Sequence, residues 1–199
     1  MCRTTEILYI GTMNKIIFIL LMLTALQTTK AQDFPLTESG TYEYKKLVMI
    51  DSLSADEFYT RAIQALSIWK GPNGLDSGGI DVNDRKTGTI IYNGLMSVGF
   101  EETMFGEGWN RWVEFRIKIR CKGGCAQITS TLTQLVGQYS RRAVIRTYSM
   151  QELKNMVGSL RRNKHEQGVE FIRKIVREAK TMARDIAEML LEAPEEDDF

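Results

Sequence analysis

Histidine, cysteine and proline are scarce in this chain of 199 residues, which holds one, three and three of them. A structural zinc site takes four ligands, and the two cysteines Cys121 and Cys125 stand 40 residues from His165, the single histidine. No metal site or cofactor is therefore expected. There is no Gly-x-Ser-x-Gly, no His-Glu-x-x-His and no phosphate-binding glycine loop, so the common hydrolase, metalloprotease and nucleotide-binding classes lack their signatures. No sign of charge dominates either. With 26 basic and 25 acidic residues the surface has no global attraction for nucleic acid. Long apolar runs are missing too. Ile16–Leu26 covers eleven residues, where about 20 are needed to span a bilayer.

That short run is nevertheless informative. Met13, Asn14 and Lys15 precede Ile16–Leu23, and Thr29-Lys30-Ala31 follows. A positive n-region, an apolar h-region and small residues at −3 and −1 make a secretory signal peptide cut after Ala31. Residues Met1–Thr12 lie outside this pattern, either as an extension ahead of a true start at Met13 or as a lengthened n-region. Cleavage removes Arg3, Lys15, Lys30 and Glu6, leaving 23 basic and 24 acidic residues and a charge near −1. The expectation is a periplasmic or secreted protein with no stable membrane span. Residues 32–40 read as a linker and 194–199 as a solvated acidic tail.

Cys121-Lys122-Gly123-Gly124-Cys125 sits at a strand turn, in a compartment that permits disulfides. A disulfide stapling the hairpin tip is expected, with two free thiols as the alternative and a redox or metal role as a third.

Strands come first and helices last. Thr41–Asp51 is strand-like, with Tyr42, Tyr44, Val48 and Ile50 on one parity. Ser54-Ala55-Asp56-Glu57 is a capping box opening a helix to about Lys70, with Phe58, Ala62, Ala65 and Trp69 as its buried stripe. Ile80–Asn83 and Thr89–Val98 form a hairpin about Asp84–Gly88, and Gly94 marks a bulge or a close backbone approach. In Arg111–Arg120, Val113, Phe115, Ile117 and Ile119 face one way, and Trp112, Glu114, Arg116, Lys118 and Arg120 the other. Ala126–Val136 is its partner. A short basic link (Arg141, Arg142, Arg146) leads to a second capping box at Ser149–Glu152 and a short helix. Arg161–Gly168 is polar, reading as hinge or continuation. Gln167–Ala193 is then a long helix.

Along that helix Val169, Ile172, Val176, Ala179, Ala183, Ile186 and Leu190 repeat three-four-three-four, a pattern compatible with a coiled coil. Its 26-odd residues reach about 39 Å, against about 20 Å for an average strand. Part of the seam is therefore expected to meet the preceding helix or a second copy of the chain, making a homo-oligomer through the C-terminal helix.

The order strand, helix, four strands, helix resembles a secreted family found mostly in Bacteroidetes, known as domain of unknown function 4468. The matching pieces are Asp56-Glu57-Phe58-Tyr59, Asp84-Arg85-Lys86-Thr87-Gly88, and Val113-Glu114-Phe115 with Lys122-Gly123-Gly124. The resemblance covers about residues 41–136. It implies a TATA-binding-protein-like (TBP-like) fold and an envelope or secreted location, and supplies no catalytic residues. The fold class is thus α+β, an antiparallel sheet in the order β-α-β-β-β-β-α plus a long C-terminal helix, with 41–148 as the sheet domain and 149–193 as a helical region.

The candidate surface is the wet face of the best strand: Trp112, Arg116, Lys118 and Arg120, with Tyr42 and Tyr44 as possible neighbours. The expected function is a non-enzymatic envelope module binding a protein, glycan or small ligand. A structural role through the helix seam is the alternative. A hydrolase would need paired carboxylates, for which Glu101, Glu102 and Glu107 are at hand beside a glycine-rich loop.

Overall fold

The computed structural model describes residues 36–69, 71, 75–102, 108–139 and 145–192. The leader, the acidic tail and most of the glycine-rich loop lie outside the described residues, as do the side chains of Glu101, Glu102 and Glu107. The expectations placed on them are neither met nor corrected.

Both capping boxes form. Glu57 N donates to Ser54 Oγ at 3.2 Å, and the Glu57 carboxylate accepts from Ser54 N at 2.7 Å. The same pair closes at Ser149 and Glu152. Each box satisfies orphan amides of a first helical turn. They start α1 (Ala55–Ile68) and α2 (Met150–Ser159). The polar stretch after α2 is hinge first and helix after: Leu160 and Arg161 are extended, and α3 then runs over Arg162–Leu191.

The strands are β1 (Tyr42–Met49), β2 (Leu75–Asp84), β3 (Thr89–Glu102), β4 (Gly108–Lys122), β5 (Cys125–Tyr139) and β6 (Ile145–Ser149). All pair antiparallel, in the order β1-β5-β4-β3-β2. β6 is an addition to the expected order. It arises from the basic link and pairs with the far end of β5, on the edge that β1 leaves open. Its burial is slight, so no alternation in the sequence marks it.

The three helices cover one face of this sheet. Val113, Ile117 and Ile119 are fully buried there and Phe115 nearly so, in line with their shared parity. Tyr42 and Val48 of β1 join them, paired with Leu132 and Ala126. Tyr42 and Tyr44 are thus on the covered face and not on the wet one, and Lys180 of α3 lies over the Tyr44 ring at 5.9 Å. The described residues from Leu36 onward form one unit, so sheet and C-terminal helices share a core.

The seam of α3 has its occupant within the chain. Ile172, Val176, Ala179, Ala183, Ile186 and Leu190 are buried, and α3 packs on β1, β5, α1 and α2. Val169 is half-buried. Of the two occupants expected for the seam, the chain's own elements supply the first. The length argument assumed average strands, whereas β4 and β5 have 15 residues each and span about 50 Å. The 30-residue helix, about 45 Å long, matches them. Arg61 of α1 donates to the carbonyls of Leu190 and Glu192, tying α1 to the open C-terminus of α3.

Candidate functional site

Arg116, Lys118 and Arg120 do share the open face, spaced two residues apart along β4, about 7 Å each. Uncharged neighbours flank them on β5: Thr131 opposite Arg116, Thr129 opposite Lys118 and Gln127 opposite Arg120. Arg116 Nε donates to Asn93 Oδ1 at 3.0 Å, and Asn93 in turn donates to Asp81. Trp112 is on the same face but stands apart from the cations, beyond Glu114. That carboxylate is held by Gln134 Nε2 at 2.6 Å. The four residues are therefore a three-cation stripe and a separate half-buried indole, not one cluster.

The cysteine turn differs from expectation. Cys121 and Cys125 are free thiols. The hairpin pairs Cys121 with Ala126 and Lys122 with Cys125, so the two sulfurs belong to opposite faces of the sheet. Cys121 lies in the core, where burial pushes its thiol up to about 11. The sequence spacing suggested a staple because the tight Gly123-Gly124 turn was not counted into the register.

His165, a conceivable base, is instead a tie between helices. In the tautomer carrying Nδ1–H it donates to the Val157 carbonyl at 2.8 Å, anchoring the first turn of α3 to the end of α2.

A concavity lies elsewhere, at the end of the covered face away from the cysteine turn. One register row there reads Gly99, Arg111, Gly137, Arg146 across β3, β4, β5 and β6. Two glycines flank Arg111, and a side chain placed at Gly99 would meet nothing within 4 Å. The row leaves a hollow in the sheet floor. Val98, Leu135 and Tyr148 line it from the strands. Leu153, Met156, Val157 and Leu160 close it from α2, and Lys164, Gln167, Gly168 and Phe171 from α3. The cavity measures about 600 Å³, inside the range of roughly 300–1,000 Å³ usual for small-molecule sites. The elbow between α2 and α3 that roofs it is pinned where Gly168 meets Val157. A Cβ on Gly168 would come within 2.9 Å of both Val157 methyls.

The guanidinium of Arg111 lies 5.5 Å from the Phe171 ring centroid. Sequence reading missed this site, although Arg111 carries a signal. It continues the parity of Val113, Phe115, Ile117 and Ile119, so a cation occupies the core face of an otherwise apolar row. Among the described residues no group of three His, Cys, Asp or Glu could hold a metal ion.

No protein-family model matches the chain, and no curated protein matches it. Solved structures do. A DUF4468 family protein from Bacteroides ovatus superposes with a TM-score of 0.59 at 21% identity, over 83% of this chain and 94% of that one. A TBP-like protein from Parabacteroides distasonis gives 0.56 at 15% identity, over 81% and 99%. The chain thus has the TBP-like fold of these Bacteroidetes proteins and resembles the DUF4468 family.

Proposed function

We propose that the chain is a non-enzymatic binding module acting outside the cytoplasm, which holds a small ligand in the cavity between the glycine row of the sheet and the α2–α3 elbow. The observation that carries this reading is the cavity itself: a hollow of about 600 Å³ with mainly apolar walls and a few convergent polar groups. Export is supported by the leader pattern Met13–Ala31. No helix among the described residues is long and apolar enough to cross a membrane.

The test uses a neutral apolar fluorophore, N-phenyl-1-naphthylamine, with the purified full chain. Saturable binding of one probe per chain is expected. Leu160→Trp, which builds into the cavity from its exposed rim, should abolish it while leaving the melting temperature in place. Absence of saturable binding, or binding indifferent to Leu160→Trp, would overturn the reading.

The open face supports a second reading, as a docking surface for an envelope protein or glycan. Leu47 and Met49 of β1 are 53% and 64% exposed on it. Leu47 stands in the same register row as Arg120. Exposed apolar residues beside cations mark a surface that a partner can cover. Arg120→Glu with Leu47→Ser should reduce retention of an envelope partner on the immobilised chain, and unchanged retention would remove this second reading.

A further inference from the structure

Resting on the second reading, of the open face as a docking surface, we infer that its partner is an acidic polysaccharide, a chain of sugars bearing carboxylate or sulfate groups, laid along β4. The argument starts from charge. Arg116, Lys118 and Arg120 take consecutive open-face positions, and Lys122 continues them beside the turn. These cations stand in one line about 20 Å long. Lys118, Arg120 and Lys122 form no ion pair among the described residues.

The acids of that face are engaged elsewhere. Glu43 pairs with Lys45 at 3.5 Å, and Gln134 holds Glu114. Asp81 takes the Asn93 amide, and Asp84 accepts from the Thr87 hydroxyl and the Lys86 amide. No acid stands opposite any cation of the stripe in the register of β3, β4 and β5. Arg116 commits its Nε to Asn93, which leaves the forked end of the guanidinium for an anion. Like charges held side by side without a counter-charge repel, and an anionic partner relieves that repulsion.

The line of the stripe selects a linear partner. Neighbouring strands rotate by roughly 20° each, so a flat lipid surface cannot follow the face, whereas a chain laid along one strand can. On both sides of the stripe stand uncharged hydrogen-bonding side chains: Thr131, Thr129 and Gln127 on β5, and Thr89 and Asn93 on β3. Those of β5 have no intramolecular side-chain partner among the described residues. Hydroxyls and amides on either side of a row of cations suit a ligand that carries hydroxyls along its length as well as acid groups. An acidic protein segment would instead be anchored by apolar side chains. The exposed ones, Leu47 and Met49, stand beyond β5 on the edge strand and away from the line of charge.

Binding of size-matched oligomers to the full chain at low salt tests this. Alginate and dextran sulfate represent the carboxylate and sulfate forms of the polysaccharide. Neutral dextran, poly-L-glutamate and vesicles of phosphatidylglycerol in phosphatidylcholine represent an uncharged glycan, an acidic peptide and an anionic lipid surface. At least one acidic polysaccharide should bind with a Kd about tenfold or more below all three. Lys118→Gln with Arg120→Gln should weaken it about tenfold and flatten its salt dependence, because fewer counterions are released. Lys154→Gln with Lys174→Gln, an equal charge change at exposed positions of α2 and α3, should leave it within about twofold. A smaller margin over poly-L-glutamate, the vesicles or dextran would overturn the inference. So would no loss in the first double variant, or an equal loss in the second. The retention experiment separates the two levels. If Arg120→Glu with Leu47→Ser releases an envelope partner but no acidic polysaccharide binds, the docking reading stands and this inference falls. If neither retention nor polysaccharide binding depends on the face, both fall.

Discussion

The two ends of one sheet use glycine in opposite ways. Toward the cysteine turn, glycines make room for aromatics. A Cβ on Gly94 would lie 2.6 Å from the Phe115 ring, and one on Gly78 would lie 2.4 Å from the Tyr92 hydroxyl. Above them Trp69 meets Tyr92 and Phe115 edge-on at 5.7 and 6.0 Å, and these two stack on each other. Toward the other end, Gly99 and Gly137 flank Arg111, and the space at Gly99 stays open. The same small residue completes a core in one place and hollows it in the other. What differs is the neighbour across the strand: a phenyl ring that lies back over the glycine, or a guanidinium stacked away on Phe171.

The largest expected effect is at the packed end. Phe115→Ala removes the ring that fills the Gly94 position and should cost about 4 kcal/mol in denaturant unfolding. Leu153→Ala, against the cavity, should cost about 2 kcal/mol, because its site already borders open space. Equal costs would mean that the two ends are packed alike. Next in size is Gly94→Ala, an overpacking change expected to cost about 2 kcal/mol. Smaller again is Leu160→Trp at the cavity rim, expected within about 0.5 kcal/mol of wild type, as for a surface substitution. A large loss there would show the cavity to be collapsed in solution.

The packed end was the legible one. Its periodicities are strong: the α1 stripe of Phe58, Ala62, Ala65 and Trp69, the alternation of β4, the capping serines and the Asp84 turn all have local chemical causes. Gly94 could be flagged as a close approach, and the structure supplies the approaching ring. The cavity end was illegible for three physical reasons. β6 is too exposed and too short to alternate. The register that places Gly99, Arg111, Gly137 and Arg146 in one row depends on a bulge after Ser97 and another at Thr133. The α2–α3 elbow depends on contacts eight and eleven residues apart, His165 on the Val157 carbonyl and Gly168 against the Val157 side chain, which no periodicity marks. Parity placed Arg116, Lys118 and Arg120 on one face with Glu114 between them and Trp112, but it carried no information about the Gln134 side chain that holds Glu114 there. For the cysteines, parity was the missing step, since a two-residue turn pairs Cys125 with Lys122, one position off Cys121, and so sets the two cysteines on opposite faces.

The smallest predicted effect sharpens the comparison through pH. Three carboxyls at the packed end are held below their usual range. A side-chain hydrogen bond from Arg85 lowers Asp56, the Ser54 hydroxyl and amide lower Glu57, and the Thr87 hydroxyl and amide lower Asp84. At the cavity end Glu152 is lowered in the same way by Ser149. A depressed folded-state pKa means that the unfolded chain binds the proton more tightly. The stabilisation is then present above the ordinary carboxyl values of 3.8 and 4.5 and is lost as pH falls through the folded-state values. Asp56, Glu57 and Glu152 are exposed and Asp84 is half-buried, so the effect is modest and salt-sensitive. Three such groups sit around the α1 start and the β2–β3 turn and one at the α2 start, so acid should loosen the former first. Amide exchange compared at pH 6 and pH 3, corrected for intrinsic rates, should lose more protection in the first turn of α1 and at Lys86–Gly88 than in the first turn of α2. Asp84→Asn should remove part of that difference at the turn while leaving α2 unchanged. Equal loss at both ends would show that the acid response belongs to the fold as a whole and not to the corner built by Asp56, Glu57 and Asp84.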